Sequence, residues 1–213
     1  MNIILNKVKP EFLETEKITN SETWDENITF TQGEKIQIVA PSGSGKTSLI
    51  HFLYGLRKDY KGSILFDQEN LRRLRAEGFA AIRSQRCSII FQDLRLFPEH
   101  TVFQNINIKR SLNPFHPIEK INEMAARLGI ENKLKKPLKT CSYGEQQRVA
   151  IIRALQQPFD FLLMDEPYSN LDESNRVKAM ELIEEEANKR NAGIILADLK
   201  LLDFFKADRI IYL

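Results

Sequence analysis

Three stretches of the chain read as buried strands. "EKIQIVA" (34–40), "FDFLLMDEP" (159–167) and "AGIILADL" (192–199) are short, nearly continuous apolar runs, the pattern of strands covered on both faces. Between them the apolar period lengthens to that of a helix. "KTSLIHFLYGL" spaces Leu49, Phe52, Leu53 and Leu56 along one helical face and breaks at Gly55–Leu56. "HPIEKINEMAARLGI" does the same with Ile118, Ile121, Ala125 and Leu128 and stops at Gly129, a helix C-cap glycine. "ESNRVKAMELIEEEANKR" repeats the pattern with Val177, Met180, Ile183 and Ala187. In "CSYGEQQRVAIIRAL", Ser142 and Glu145 form an S-x-x-E capping box ahead of core positions Val149, Ile152 and Leu155. Buried strands separated by helices predict an α/β layer fold with a largely parallel sheet. No internal repeat, low-complexity linker or second-domain boundary interrupts the pattern.

Composition narrows the picture. At 213 residues and 42% hydrophobic, the chain can bury one sizeable core and is short for two full domains. Thirty-one basic against 29 acidic side chains leave a net charge of +2, which gives no push toward nucleic acid or an anionic membrane; no nucleic-acid partner is expected. Cys87 and Cys141 lie far apart with no pairing or zinc pattern, which fits a reducing cytosol. The apolar patch in "MNIILNKVKP" is too short for a signal peptide, and no apolar run approaches the roughly 20 residues that span a bilayer. A soluble chain that can sit on a membrane protein is expected.

The candidate chemistry begins at "APSGSGKT" (40–47), placed between a strand and a helix. A helix N-terminus has unpaired N–H groups and a partial positive charge, so it attracts anions. Gly43 and Gly45 let the backbone wrap a phosphate chain, Lys46 adds a point charge for the terminal phosphates, and the Thr47 hydroxyl can ligate Mg²⁺. The candidate phosphate-binding set is Ala40, Pro41, Ser42, Gly43, Ser44, Gly45, Lys46, Thr47 and Ser48, with Ala40 where this loop usually begins with glycine. Asp165 and Glu166 end the second apolar run, at the sheet edge where ligands collect in open α/β folds. Asp165 suits a Mg²⁺ ligand, directly or through water, and Glu166 suits a base that orients or deprotonates an attacking water.

Ser142-Tyr143-Gly144-Glu145 followed by Gln146-Gln147-Arg148 resembles the LSGG[QE]-QQR signature of ATP-binding cassette (ABC) ATPases, with Cys141 for the usual Leu and Tyr143 for the first Gly. Gln92 in "FQDLRLFPEHTVFQNI" matches the family's Q-loop, and "SNLD" (169–172) its D-loop. The resemblance runs over nearly the whole chain. The "LFP…TVFQNI" segment looks like the branch that serves lipoprotein-release, macrolide-export and cell-division complexes.

The resemblance implies a nucleotide-binding domain over 1–213, with an N-terminal β subdomain, an ATP-binding core of 1–92 and 142–213, and a helical subdomain of about 93–141. It further implies a dimer, of like or related subunits, with each ATP and Mg²⁺ between one glycine loop and the partner's signature residues Ser142, Gly144 and Glu145. Gln92 would sense the γ-phosphate, approach the metal and contact an integral membrane permease, so that the chain lies peripherally on the cytoplasmic face of the membrane. Phe12 is a possible adenine-stacking residue and equally a core residue; Trp24 competes for the stacking role. The family also places a γ-phosphate-contacting histidine after the third strand, where aligning the strands puts Asp198 and a one-residue shift puts Ala197, neither of them a donor, and His51, His100 and His116 all lie elsewhere. An ionised carboxylate only accepts hydrogen bonds, so slow hydrolysis is expected. The readings in play are the ATPase subunit of a transporter-type complex, a slow-hydrolysing dimerisation switch, and a soluble ABC ATPase of repair or translation. The last resembles tandem cassettes or chains with long insertions, whereas the separation from Lys46 to Ser142 is short. Finally, the five arginines of "LRRLRAEGFAAIRSQR" (71–86) read as a solvated helix face, or else a docking surface.

Overall fold

The computed structural model describes residues 1–213. In chain order the elements are β1 (Asn2–Pro10), α1 (Thr15–Thr19), β2 (Asn27–Thr31), β3 (Lys35–Val39), α2 (Lys46–Leu53), β4 (Tyr60–Phe66), β5 (Glu69–Asn70) and α3 (Ala76–Gln85). There follow β6 (Cys87–Ile90), α4 (Val102–Leu112), α5 (Lys120–Arg127), α6 (Tyr143–Ala154), β7 (Phe161–Asp165), α7 (Glu173–Lys189), β8 (Gly193–Asp198) and β9 (Arg209–Tyr212). The three apolar runs become β3, β7 and β8, and with β6 and β9 they build a five-stranded parallel sheet in the order β6-β7-β8-β3-β9. A second, antiparallel sheet has the order β2-β1-β4-β5.

The parallel strands are apolar throughout because both faces are covered. Leu162, Met164, Ile194 and Leu196 point into a core shared with α4, α5, α6 and α7. Phe161, Leu163, Ile195 and Ala197 point into a second core, shared with α2, α3 and the antiparallel sheet. Strand period two thus divides one run between two cores. No helix is long and apolar enough to cross a membrane.

Four details differ from the sequence expectations. Leu56 is exposed, because α2 ends at Leu53 and Gly55 (φ +70°) turns the chain out of the helix before it. Ile118 is exposed because α5 starts only at Lys120, after a turn closed by Lys120 N–H on the Pro117 carbonyl. Val177 is exposed because the start of α7 faces the 200–204 loop across a groove. The arginine run is not one solvated face. Arg83 donates to the Tyr54 and Gly55 carbonyls that end α2, Arg86 bonds Asp160 and Asp67, and Arg72 lies over the Tyr60 ring at 4.6 Å. Only part of the segment is α-helical, and its cations tie the loops around β4 to the parallel sheet.

Candidate functional site

The register of the parallel sheet assembles the site. Val39 pairs with Asp198 and Asp165 with Ala197, so β3, β8 and β7 end almost level. The strand exits are then laced together: Ala40 N–H donates to the Asp198 carbonyl at 3.2 Å and Glu166 N–H to the Ala197 carbonyl at 2.9 Å. From this edge the glycine loop turns into α2, whose N-cap is Gly45 (φ +102°) with no side-chain cap. The first-turn N–H groups are therefore left for an anion.

Trp24 is the floor of that loop. It is 1% exposed, its Nε1 donates to the Ser44 carbonyl at 3.2 Å, and a Cβ on Gly45 would lie 3.0 Å from its ring. A side chain buried beneath the loop has no face for a base, which removes Trp24 as the stacking candidate. Phe12 is 49% exposed and shares a cleft of about 240 Å³ with Ser42, Gly43, Gly45, Lys46, Thr47, Ser48, Gln92 and Glu166. A larger cleft, about 820 Å³, lies around Thr101, Phe103 and Leu134 and contains no glycine-loop residue.

Charges in the site are poorly matched without a ligand. Lys46 Nζ donates to the Ala40 and Pro41 carbonyls at 2.7 and 3.0 Å and lies 3.8 Å from Glu166 Oε1. Burial pushes its pKa down, against Glu166, Asp165 and Asp198, which push it up. Asp165 is 1% exposed, and neither carboxylate oxygen accepts a hydrogen bond. Burial pushes it up to about 6, with the neighbouring Thr47 hydroxyl and Lys46 pulling the other way. Orphaned buried carboxylate oxygens are costly, and beside Thr47 they fit a hard cation that takes oxygen ligands. No three His, Cys, Asp or Glu side chains converge, so such a cation would draw the rest of its shell from phosphate oxygens and water.

Glu166 has φ +44°, a left-handed conformation that costs on the order of 1 kcal/mol in a non-glycine residue and concentrates at functional sites. Its Oε2 accepts a hydrogen bond from Gln92 Nε2 at 3.3 Å. Asp198 turns its Oδ1 back onto Leu199 N–H at 2.7 Å, and burial pushes its pKa up. It lines a neighbouring cleft with Glu166, Arg176 and Lys200.

The 142–148 segment starts α6 as the capping box requires. Ser142 Oγ accepts from Glu145 N–H at 3.3 Å, and Glu145 Oε2 accepts from Ser142 N–H at 2.8 Å. The other Glu145 oxygen is 3.0 Å from Lys133 Nζ, so this carboxylate is occupied within its own chain. A Cβ on Gly144 would stand 2.9 Å from the Asn170 carbonyl: the signature turn packs directly on the 169–172 loop. None of Ser142, Gly144 and Glu145 lines the glycine-loop cleft of the same chain.

Supporting residues were less visible in the sequence. Gln147 accepts from Asn170 N–H at 3.1 Å and donates to the Pro167 carbonyl at 2.5 Å, and Arg176 donates to the Tyr168 carbonyl at 3.2 Å. Both secure the chain after the acidic pair. The glutamine doublet was a signal for the first, but nothing adjacent in sequence pointed to the second.

A family model described as "ABC transporter" matches residues 25–169, a span holding the glycine loop, Gln92, the 142–148 segment and the acidic pair but not Asp198. The lipoprotein-releasing system ATP-binding protein LolD of Legionella pneumophila (strain Lens) is 33% identical over 173 residues, 80% of this chain and 76% of LolD. The molybdate/tungstate import ATP-binding protein WtpC of Pyrococcus horikoshii is 41% identical over 150 residues, 69% of this chain but only 42% of WtpC. Among solved structures, a dimeric post-hydrolysis state of the ATP-binding cassette MJ0796 bound to ADP and Pi has a TM-score of 0.83 and 25% identity, covering 100% of this chain and 94% of that one. Sequence match and sheet-edge geometry agree, and the chain belongs to the ABC transporter family as one of its ATP-binding, ATP-hydrolysing cassettes.

Proposed function

We propose that two copies of this chain, or one copy and a related subunit, close around Mg-ATP and drive a separate membrane permease. In this reading the core of 1–92 and 142–213 binds nucleotide, and the helical segment of about 93–141, next to Gln92, faces the permease and holds the chain on the cytoplasmic face of the membrane. Backbone N–H groups of the Ala40–Ser48 loop cradle the phosphates. Lys46 leaves the Ala40 and Pro41 carbonyls for the terminal phosphates. Thr47 and Asp165 would hold Mg²⁺, with Gln92 near it, and the ion would supply neutralisation of phosphate charge. Glu166 takes the proton of the attacking water, and its bond to Gln92 fixes its direction. Phe12 stacks on the adenine.

The observation that carries the dimer is the position of the signature residues. Ser142 is exposed, its oxygen accepts from Glu145 N–H and leaves its O–H free to donate, yet it stands outside its own cleft. A second glycine-loop cleft, on a partner, gives Ser142 and Gly144 a phosphate to meet, with Glu145 holding the turn in shape. Glu166→Gln tests this, since it removes the base while keeping the shape of the site. With Mg-ATP the variant should elute as a dimer in size-exclusion chromatography with light scattering. A monomer at high protein concentration would count against the two-chain site. Co-purification with the product of an adjacent membrane-protein gene tests the permease.

Asp198 supports a second reading, a slow switch that dimerises on ATP and hydrolyses poorly. Its carboxylate stands where a γ-phosphate donor is expected and is turned onto Leu199 N–H.

A further inference from the structure

Arg57 follows α2, and its side chain folds back toward the glycine loop. Its guanidinium carbon lies 4.4 Å from the centre of the Phe12 ring. Nη1 donates to Ser48 Oγ at 2.9 Å, in the first turn of α2. Nε donates to Asp59 Oδ1 at 3.0 Å and Nη2 to Asp59 Oδ2, completing a two-pronged ion pair. The backbones are joined as well, since Pro10 pairs with Tyr60 and Glu11 N–H donates to the Asp59 carbonyl at 3.1 Å. The segment carrying Phe12 and the segment carrying Arg57 and Asp59 are one unit, and Arg57 links that unit to α2.

A half-exposed phenylalanine at a loop is free to change rotamer unless something holds its ring. A planar cation against one face does so. The fork onto Asp59 fixes the guanidinium in turn, as two parallel charge-assisted bonds set both distance and plane. Phe12 and Ser48 line the glycine-loop cleft and Arg57 does not, so the clamp has the guanidinium behind the ring and a base in front of it.

We infer that Arg57 is a positioning residue for the nucleotide base, clamping the Phe12 ring to α2 so that a purine stacks at a set distance from the phosphates. This rests on the reading of Phe12 as the base-stacking residue. It requires Arg57 to matter for ATP and not for a bare phosphate chain.

Isothermal titration calorimetry on the full-length wild type, Arg57→Met, Phe12→Leu and the double variant, with Mg-ATP and with magnesium tripolyphosphate, separates the cases. Arg57→Met should weaken ATP binding about five- to tenfold and leave tripolyphosphate within about twofold. Adding Arg57→Met to Phe12→Leu should change nothing further. Asp59→Asn, which keeps Arg57 but loosens its fork, should give a smaller loss confined to ATP, so the outcome does not hang on one variant's folding. If Phe12→Leu weakens ATP and Arg57→Met does not, Phe12 stands and the clamp falls. If Phe12→Leu leaves ATP unchanged, the reading of Phe12 itself falls and takes the clamp with it. Equal losses for both ligands in Arg57→Met would assign Arg57 to the phosphates or to folding, and tighter ATP binding would mean that the guanidinium occupies the base's place. Either result overturns the inference.

Discussion

Gln92 Nε2 donates to Glu166 Oε2 across 3.3 Å, joining the chain that leaves β6 to the residue that follows β7. The two strands are neighbours in the sheet, and the bond is made to a glutamate held in a left-handed conformation. A carboxylate on a strained backbone whose side chain is also tethered has little freedom of direction, which suits the base proposed for Glu166. Gln92→Ala should therefore lower kcat about tenfold or more, with the Kd for ATP changed less than threefold, because direction matters at the transition state. Single-turnover hydrolysis beside equilibrium binding checks this; parallel losses in both would contradict it.

Lys46 is buried against the carbonyls of its own loop, and in the proposed reading it leaves them for the terminal phosphates. Saturating Mg-ATP at a hundredfold excess over Kd should stabilise the wild type by about 2.7 kcal/mol. Lys46→Ala should lose most of that shift in a thermal melt. A wild-type melt unmoved by millimolar Mg-ATP would refute nucleotide linkage altogether.

Asp198 offers no donor to a γ-phosphate. Loss of one preorganised donor commonly costs about 10²–10³-fold in rate. Asp198→His should raise kcat at least tenfold while ATP affinity stays nearly constant. If the wild type already turns over at the rate of the histidine variant, another group supplies that contact and the slow-switch reading falls.

A Cβ on Gly144 would stand 2.9 Å from the Asn170 carbonyl oxygen, closer than such contacts allow. Gly144→Ala should push the signature turn off Asn170 and cost roughly 1–3 kcal/mol of stability. Placed in the Glu166→Gln background, it should abolish the ATP-dependent dimer while each monomer still binds ATP. Light scattering and nucleotide titration on the same sample check both halves.

Glu186 is wholly buried on α7. Burial would push its pKa up, but His116 at 2.5 Å, Arg190 at 2.6 Å and Lys189 at 2.9 Å outweigh that and hold it well below the ordinary value of 4.5. A carboxyl lowered by folding contributes stability that is complete above its unfolded pKa and lost as pH falls below it. Wild-type stability should therefore drop as pH is taken from 5 toward 3. Glu186→Gln should be destabilised by about 3 kcal/mol at pH 7, since it leaves Arg190 buried beside a neutral group, and its stability should fall less steeply with acid. Urea unfolding across that range decides it; equal slopes would rule the pair out as the source.

Most of the candidate site was legible because each piece is contiguous. The glycine loop, Asp165–Glu166 and the Ser142–Glu145 cap are local devices, in which spacing along the chain equals spacing in the structure. The apolar runs were equally plain as strands, and their two-sided burial as a parallel sheet, because backbone pleat and helix pitch write fixed periods into the sequence. What stayed hidden depends on which residues the sheet brings level.

The sequence alone determined the class of fold, the glycine loop between strand and helix, the acidic strand end and the absence of a histidine after the third strand. Only the tertiary structure decided that Trp24 is floor and Phe12 is rim, two aromatic residues that compete for one role in the sequence. It also decided that Arg72, Arg83 and Arg86 serve separate partners, that Glu145 is held by Lys133, and that Arg57 bridges Phe12 to Ser48. The physical reason is range. Propensity, periodicity and capping act over a few residues, whereas burial and side-chain pairing depend on strand order and register, which juxtapose segments far apart in the chain.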